Sequence, residues 1–293
     1  MRRSVAILYP GEMGSAVGRA LVDADWTVVS CLEGRGARSR SAAKTAGMTA
    51  VPDLAAAVAG VDVVVSLVPP SAAVDVAAAV AGAVAAAGRT PVYLDANSIS
   101  PATAKEVCSV VTGAGCECVD GAFVGSAQAL GSRTTLYLSG GRAQELAALL
   151  EGTLRTAVLG GEIGTASGFK LAFAGFNKGL VALFLEVMGA AERLGRREAL
   201  FSCLREFYPG TVETVERLLP SYPRHAARRV EEIAEFAEDL RAHGAEAVMA
   251  EGTRVMLARF AALGLDGTTD WDAEAVLDAC RREGLFGDGS SRP

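Results

Sequence analysis

The chain has 293 residues with 28 basic and 34 acidic side chains, which gives a formal net charge of −6 at pH 7, and 51% of its residues are hydrophobic. This composition excludes an intrinsically disordered chain, and the acidic balance without a basic stripe argues against a nucleic-acid partner. No apolar run is as long as a membrane span, which needs roughly 18 residues, and six cysteines are too few for a disulfide scaffold. We therefore expect a cytoplasmic protein with no membrane partner and about two domains.

Short β-branched runs recur through the first half of the chain and alternate with Ala-rich stretches of helical length. They lie at 5–8, 27–32, 61–68, 92–94 and 136–138. Continuous apolar strands such as 63–65 suit a parallel sheet that is covered on both faces. The pattern predicts an α/β fold with a doubly wound parallel sheet of the Rossmann type, over residues 1–163.

The second half loses these runs and gains helical periodicity. Helices are predicted over 168–195, 196–207, 211–219, 224–244, 245–263 and 272–282, with Pro209, Pro220, Pro223, Gly244 and Gly264 as breakers between them. We therefore expect an all-α domain for substrate binding and dimerisation over 164–283. Residues 284–293 are poor in apolar groups and are predicted to form a flexible tail.

A glycine-rich turn joins the first predicted strand to the first predicted helix. Glycines at such a turn let backbone N–H groups approach a pyrophosphate at the helix start. The segment departs from Gly-x-Gly-x-x-Gly because Tyr9 takes the place of the first glycine. A plain strand-to-helix turn is the alternative. The candidate cofactor-binding residues here are Gly11, Glu12, Met13 and Gly14.

The end of the second predicted strand carries two charged candidates for the ribose. Glu33 stands where the dinucleotide fold places an acidic residue on the ribose hydroxyls. Arg35 follows closely, and a guanidinium at this point suits a 2′-phosphate. We therefore expect NADP as the cofactor with Arg35 as a contact, and NAD stays open. Arg38 and Arg40 fit a solvated helix face better.

Four segments in this order resemble the β-hydroxyacid dehydrogenase superfamily, which includes 6-phosphogluconate dehydrogenase, 3-hydroxyisobutyrate dehydrogenase and the imine reductases. They are PGEMG at 10–14, SLVPP at 66–70, DANSISP at 95–101 and GTASGFK at 164–170. More narrowly, the chain is similar to phosphogluconate-dehydrogenase-like NAD(P)-binding proteins whose helical C-terminal domain has no settled function. The resemblance covers nearly the whole chain.

The resemblance implies a nicotinamide contact after the fourth strand. In the family these residues line the nicotinamide side of the cofactor, and here they are Val68, Pro69 and Pro70. The resemblance also implies that Asn97 and Ser98 lie near the nicotinamide and the substrate, because they match the Asn-Ser of the family motif. A turn or a helix cap before the proline at 101 is the alternative for this pair.

The substrate side departs from the family pattern in one segment. The substrate-binding Ser-Gly-Gly of the family corresponds here to Val124, Gly125 and Ser126, so its serine is absent. Gly125 and Ser126 stay candidate substrate residues, but the usual carboxylate contact is lost.

Lys170 is the candidate general acid and base. The chain has only four lysines among its 28 basic residues, and two of them, Lys170 and Lys178, lie in one apolar helix. Apolar neighbours desolvate a lysine so that it exchanges its proton, which an arginine does not do. In the resembled dehydrogenases the matching lysine takes the proton of the substrate hydroxyl as the hydride leaves, or returns it in the reverse direction. A snorkelling surface lysine is the alternative.

The same helix departs from the family pattern beyond the lysine. The family places an asparagine four residues on, where this chain has Ala174. Asn177 lies about 20° from Lys170 around an ideal helix, where 6-phosphogluconate dehydrogenases carry a second acid/base glutamate. Asn177 can orient a carbonyl or an imine but cannot donate a catalytic proton. Oxidative decarboxylation of a sugar phosphate is therefore not expected.

These residues predict an NAD(P)-dependent oxidoreductase that moves a hydride between the nicotinamide and a small hydroxy or keto substrate of the β-hydroxyacid type. An imine or ketone reductase of a biosynthetic pathway is one alternative, suggested by Ala174 and Val124. A non-catalytic NADP-binding sensor is another, suggested by Tyr9. No metal site is predicted. By analogy with the family, an apolar stripe in the helical half is expected to form a homodimer; it consists of Leu180, Leu183, Phe184 and Val187.

Several charged residues of the helical half stay undecided at this point. Lys178 faces either the substrate or the solvent. Arg228, Arg229 and Glu232 either contact a substrate anion across a dimer interface or form a solvated, salt-bridged helix face.

Overall fold

A computed structural model describes residues 3–287 of the chain. The chain divides into two compact units, Met1–Lys170 and Leu171–Pro293. The division falls inside a long helix, a few residues beyond the boundary at 163 that the sequence suggested. The helix therefore contributes its first turns to one unit and the rest of its length to the other.

The first unit alternates strands and helices. Its strands are β1 (Ser4–Leu8), β2 (Thr27–Cys31), β3 (Thr49–Val51), β4 (Val63–Ser66), β5 (Val92–Asp95), β6 (Cys118–Val124), β7 (Thr135–Ser139) and β8 (Thr156–Gly160). Its helices are α1 (Glu12–Asp23), α2 (Ala37–Thr45), α3 (Leu54–Ala59), α4 (Ala73–Ala87), α5 (Pro101–Gly113) and α6 (Ala143–Leu149).

These strands form one sheet in the described part of the chain, in the order β3-β2-β1-β4-β5-β6-β7-β8. Neighbouring strands run parallel, except that β6 and β7 are antiparallel. Alternate residues of β1 contribute to opposite cores, Val5 and Ile7 to one and Ala6 and Leu8 to the other. This confirms the predicted doubly wound sheet, because a strand buried on both faces has no polar side.

The second unit is helical, as the sequence predicted. The helices are α7 (Thr165–Arg193), which begins in the first unit, then α8 (Arg197–Phe207), α9 (Pro209–Leu218), α10 (Tyr222–Ala242), α11 (Val248–Ala261) and α12 (Ala273–Arg282). Pro209 and Pro223 lie in the first turns of α9 and α10, and helical geometry is interrupted close to both, between Phe207 and Pro209 and at His225. Proline fits there because the first-turn N–H groups have no partner within the helix.

The predicted tail differs from the structure in its first residues. Leu285 and Phe286 are buried in the core of the second unit. Their carbonyl oxygens accept hydrogen bonds from Arg259 (3.0 Å) and Arg193 (2.8 Å), respectively. Residues 284–287 therefore pack on the helices, and the rest of the predicted tail, 288–293, lies outside the described residues.

Two of the six cysteines are covalently linked, although the chain has too few cysteines for a disulfide scaffold. Cys108 of α5 and Cys118 of β6 form a disulfide with a Cα–Cα distance of 5.4 Å. The covering helix lies at bonding distance from the strand, a proximity that the sequence separation of 10 residues does not reveal. Cys116 is a buried free thiol.

Two helical stretches meet the length and composition of a membrane span, although no apolar run in the sequence suggested one. They are Pro70–Ala87 and Thr165–Arg193, with mean hydropathies of 1.6 and 1.5. Core helices meet the same criterion, and both stretches contribute to the cores of this protein, for example through Val80 and Leu185. The criterion is therefore weak evidence for a membrane.

Candidate active site

The turn after β1 leaves the start of α1 open. Gly11 is the N-cap of α1, and no side chain among residues 3–287 caps this helix. A Cβ atom built on Gly11 would meet no described atom within 4 Å. The N–H groups of the first turn, which have no partner within the helix, therefore receive no side-chain cap. A pyrophosphate fits this arrangement, since it needs backbone donors and close approach.

The other residues of the turn have structural contacts of their own. Gly14 is buried, and a Cβ atom there would lie 3.5 Å from Cγ2 of Ile7. The carboxylate of Glu12 accepts a hydrogen bond from the amide of Gln128 at 2.5 Å, and Met13 packs against the sheet core. These two residues can therefore bind a cofactor through their backbone N–H groups rather than through their side chains.

Tyr9 and Arg35 form a pair beside this turn. Tyr9 has a φ of 54°, the left-handed region that a glycine would occupy without strain. The guanidinium of Arg35 lies over the ring of Tyr9, 4.1 Å from its centroid. Arg40 donates to the backbone oxygen of Arg35 at 3.0 Å, so its side chain is not simply solvated. The stack holds an exposed guanidinium next to the glycine turn.

A row of buried polar residues crosses four neighbouring strands. Ser66 of β4 is in register with Asp95 of β5, Asp95 with Asp120 of β6, and Asp120 with Ser139 of β7. Each is at most 1% exposed. Sequence reasoning missed Asp120 and Ser139; a polar residue in an apolar strand was the signal that could have found them.

Asn97 ties together the loops that follow β4 and β5. Its Oδ1 accepts the N–H of Val68 at 2.7 Å, and its Nδ2 donates to Oγ of Ser66 at 3.1 Å. Its own N–H donates to Oδ1 of Asp95 at 3.0 Å. Asn97 is 2% exposed. It therefore shapes the loop at Val68, and its amide is already engaged by protein groups.

The other candidate residues at this edge of the sheet are exposed. Pro69, Pro70 and Ser98 are exposed beside Asn97. The helix cap that was the alternative for the Asn-Ser pair is Ser100, whose Oγ accepts the N–H of Thr103 at 3.2 Å.

Gly125 and Ser126, the candidates for the substrate side, are also exposed. Gly125 has a φ of 133°, and a Cβ atom there would lie 2.7 Å from Cα of Thr134. A side chain at Gly125 therefore requires the backbone to move. The carbonyl oxygen of Ser126 accepts a hydrogen bond from the Thr134 hydroxyl at 2.7 Å.

The carboxylate of Asp120 anchors the start of α7. Its Oδ2 accepts the N–H groups of Gly164 (2.9 Å), Ala166 (3.0 Å) and Ser167 (3.1 Å), and its Oδ1 accepts the Ser167 hydroxyl (2.6 Å). The hydroxyl of Ser139 adds a further bond to Oδ2 at 3.0 Å. A negative charge at a helix start is favourable because the N–H groups and the helix dipole both attract it. The first turn of α7 is thereby fixed to β6.

Lys170 lies one turn further along α7 and is half-buried. The neighbouring Phe169 packs on Tyr137, with 4.4 Å between ring centroids. Lys170 is close enough to Asp95 for its charge to lower the pKa of that carboxyl. Burial has the larger and opposite effect and, with a smaller contribution from the charge of Asp120, raises the pKa of Asp95 to about 7.

In the second unit, Lys178 is 3% exposed, so it does not face the solvent. Its Nζ lies 2.8 Å from Oε2 of Glu232 and donates to the carbonyl oxygen of Ala174 at 3.4 Å. Burial lowers the pKa of Lys178, and Glu232 opposes that shift. Asn177 beside it is half-buried. Lys178 thus has an ion-pair partner inside its own unit, which the sequence did not reveal.

The two arginines near Glu232 have different environments. Arg228 is exposed and lies 3.2 Å from Oε1 of Glu232. Arg229 lies over the ring of Tyr222, 3.9 Å from its centroid, and donates to Oγ of Ser221 at 2.7 Å. The solvated face that the spacing suggested therefore holds for Arg228 and not for Arg229. Among residues 3–287, no group of three or more His, Cys, Asp or Glu residues is placed to hold a metal ion.

Comparison with known proteins matches both halves of the chain. The family model described as the NAD binding domain of 6-phosphogluconate dehydrogenase matches residues 4–155, and a domain of unknown function, DUF1932, matches residues 191–260. An uncharacterized 28.5 kDa protein of Methanothermus fervidus is 28% identical over 248 residues, which cover 84% of this chain and 94% of that one.

Two solved structures are similar over almost the whole chain. A conserved protein of unknown function, described as structurally similar to 3-hydroxyacid dehydrogenases, is 27% identical with a TM-score of 0.73, over 96% of this chain and 99% of that one. The 3-hydroxyisobutyrate dehydrogenase of Mycobacterium tuberculosis, solved with L-serine, is 22% identical with a TM-score of 0.76, over 96% of this chain and 100% of that one. At this identity the second likeness concerns the fold.

Proposed function

The chain belongs to the family that carries the NAD binding domain of 6-phosphogluconate dehydrogenase, and from this premise we propose that it transfers a hydride between NADP and a small β-hydroxyacid or the matching keto compound. The broader class is an NAD(P)-dependent oxidoreductase that resembles 3-hydroxyacid dehydrogenases. One observation carries the narrower proposal. An open helix start follows β1, and Lys170 lies beside buried Asp95 at the end of β5. Parallel strands place both features at the same edge of the sheet.

The residues at this edge suit NADP. The uncapped N–H groups at the start of α1 would hold the pyrophosphate, and Arg35 on Tyr9 would pair with the 2′-phosphate. The loop that Asn97 fixes, with Val68, Pro69 and Pro70, would lie against the nicotinamide. The nicotinamide ring supplies or accepts the hydride.

Lys170 would move the accompanying proton at Nζ. In the oxidative direction the amine accepts the proton of the substrate hydroxyl, and in the reductive direction the ammonium returns it to the carbonyl oxygen. The exposed Ser98 and Ser126 would orient the polar group of the substrate, next to Gly125.

A homodimer in the cytoplasm is part of the proposal. Phe176, Leu183 and Met249 of the second unit are between 54% and 73% exposed, which is unusual for large apolar side chains. Of the stripe predicted from sequence, Phe184 packs instead in the core of its own unit.

The test is oxidation of NADPH and NADH with a panel of keto acids, semialdehydes and cyclic imines. Lys170→Ala is expected to lower turnover by about 100-fold or more, because a positioned acid/base contributes roughly that factor. NADPH binding, measured by fluorescence, should be unchanged. Lys44→Ala, at an exposed position of α2, serves as the matched control.

The other outcomes favour a different function or contradict the role of Lys170. Turnover of cyclic imines alone would favour the imine reductase that Ala174 and Val124 suggested. Cofactor binding without turnover of any compound would favour the sensor. Parental turnover in Lys170→Ala would contradict the acid/base role.

A further inference from the structure

We propose that Asp95 is a positioning residue that acts through Lys170: its carboxylate holds the transferable proton on the lysine. The inference rests on the proposed acid/base function of Lys170 and deepens it. It starts from a difference between two carboxylates in the row of buried polar residues. Both Asp95 and Asp120 are fully buried, but only one of these carboxylates has all its oxygens engaged.

The sheet places the two carboxylates side by side. Asp95 and Asp120 are register partners on adjacent parallel strands, which lie about 4.8 Å apart. Register partners point to the same face of a sheet, so both side chains lie on one side of it. The structure therefore brings two acidic groups together in the interior.

Helix α7 then brings Lys170 to this pair. Asp120 binds Ser167 through both the backbone N–H and the hydroxyl. Lys170 follows three residues later, and residues three apart lie on the same side of a helix. Asp120 thus fixes the turn that precedes Lys170, next to the strand that carries Asp95. The electrostatic interaction between Lys170 and Asp95 agrees with this placement.

Asp95 is the carboxyl group of the pair that can accept a further hydrogen bond. Asp120 uses both oxygens to accept hydrogen bonds from α7 and Ser139. Oδ1 of Asp95 accepts the N–H of Asn97, but its Oδ2 has no hydrogen-bond partner in the part of the chain that the structure describes. An ionised Asp95 is therefore underpaired unless a nearby cation compensates its charge.

Among the groups that influence Asp95, Lys170 is the cation that can compensate its negative charge. Tyr93, on the same strand, stays a neutral phenol because burial raises its pKa. Asp120 repels the charge of Asp95 and raises its pKa, and Lys170 lowers it. With a pKa of about 7, Asp95 is ionised above neutrality and protonated below it. Its negative charge favours the ammonium form of the lysine, so the pair suits reduction, which requires Lys170 to donate a proton.

The experiment measures the protonation of Lys170 directly in the full chain. The four lysines are labelled with trace acetic anhydride across a pH series, and each is quantified by mass spectrometry. In Asp95→Asn, the pH midpoint for labelling of Lys170 is expected to fall by about one unit, since an adjacent opposite charge shifts a titration by roughly 1–3 units. The midpoint of exposed Lys44 should not move. Asp62→Asn removes a half-exposed carboxyl before β4 and should leave every midpoint unchanged.

An unchanged Lys170 midpoint in Asp95→Asn overturns the inference. If the variant does not fold, Asp95→Ser replaces it, because serine also offers an oxygen to the Asn97 N–H. Where a substrate is known, the rate of reduction is measured against pH. The alkaline limb of this pH profile should shift to lower pH by the same amount as the labelling midpoint. A merely structural role would scale the rate at every pH and leave that limb in place.

The labelling result and the activity result separate the two proposals. A shifted midpoint without turnover of any compound supports the role of Asp95 and contradicts the proposed function. Turnover with an unshifted limb and an unshifted midpoint supports the function and overturns the role of Asp95.

Discussion

At the scale of single residues, burial and partners give similar side chains different roles. Lys170 and Lys178 lie on one helix, yet Lys178 is fully buried against Glu232 while Lys170 is half-buried and interacts with Asp95. Buried charges are retained in proteins when they are paired. The glutamate partner makes Lys178 a structural residue and leaves Lys170 as the candidate for proton transfer.

Arg35 carries the prediction that decides between the cofactors. Its guanidinium is held on Tyr9, and Arg35→Ala removes the charged partner that we assign to the 2′-phosphate. Hydrogen bonds to charged groups contribute about 1.5–3 kcal/mol, so KM for NADPH should rise roughly 10-fold to 100-fold while KM for NADH changes little. Arg38→Ala, an exposed arginine of α2, is the control. An equal rise for both cofactors would show that Arg35 does not recognise the 2′-phosphate.

At the scale of elements, one carboxylate determines where α7 begins. Gly164 has a φ of 96°, and a Cβ atom there would lie 3.2 Å from the carbonyl oxygen of Pro101. The chain therefore turns tightly before α7, and its first N–H groups point at Asp120 rather than at water. A buried helix start needs such a partner because its N–H groups have none within the helix.

Asp120→Asn should destabilise the protein because the amide has only one acceptor oxygen and turns an N–H toward donors. Leaving buried donors unsatisfied costs about 1–3 kcal/mol, and more where a charge is involved. We expect a loss of about 3 kcal/mol in the free energy of unfolding, measured by urea denaturation. Ser100→Ala, which removes the cap of α5, should cost about 1 kcal/mol. Equal losses in the two variants would argue against a special role of Asp120.

At the scale of the whole molecule, the second unit carries apolar surface that its own core does not use. Phe176 and Met249 line a groove of about 410 Å³ on this unit, together with Leu183. The side chains of Phe176 and Met249 are 70% and 73% exposed. Exposed apolar patches of this kind mark protein interfaces, which is why we propose a homodimer.

Phe176→Asp should convert the dimer to a monomer, because a carboxylate cannot be buried in an apolar interface without a large desolvation cost. The measurement is light scattering after gel filtration. Leu194→Asp is the matched control, since Leu194 is 74% exposed and does not line the groove. A monomeric parent protein, or a dimeric Phe176→Asp, would contradict the proposed dimer.

The sequence by itself determined the alternation of strands and helices, the glycine turn and the candidacy of Lys170. These features follow from local periodicity and from residue types within short segments, as the agreement of α7, α8 and α12 with their predicted ranges illustrates. Strands β3, β6 and β8 lie outside the predicted runs. Strands β3 and β8 are short or only partly buried at the sheet edges, where the apolar pattern is weak, and Asp120 and Gly121 interrupt the apolar pattern of β6.

Only the tertiary structure decided which polar groups meet. Asp120 lies 47 residues from Ser167 and Lys178 lies 54 residues from Glu232, so neither contact has a local signature. The same holds for Asn97, whose amide bridges two strand ends through hydrogen bonds that the sequence did not reveal. Burial and pairing, across the sheet and between helices, determine the charge state and the mobility of each side chain. Both depend on contacts between residues that are far apart in the sequence.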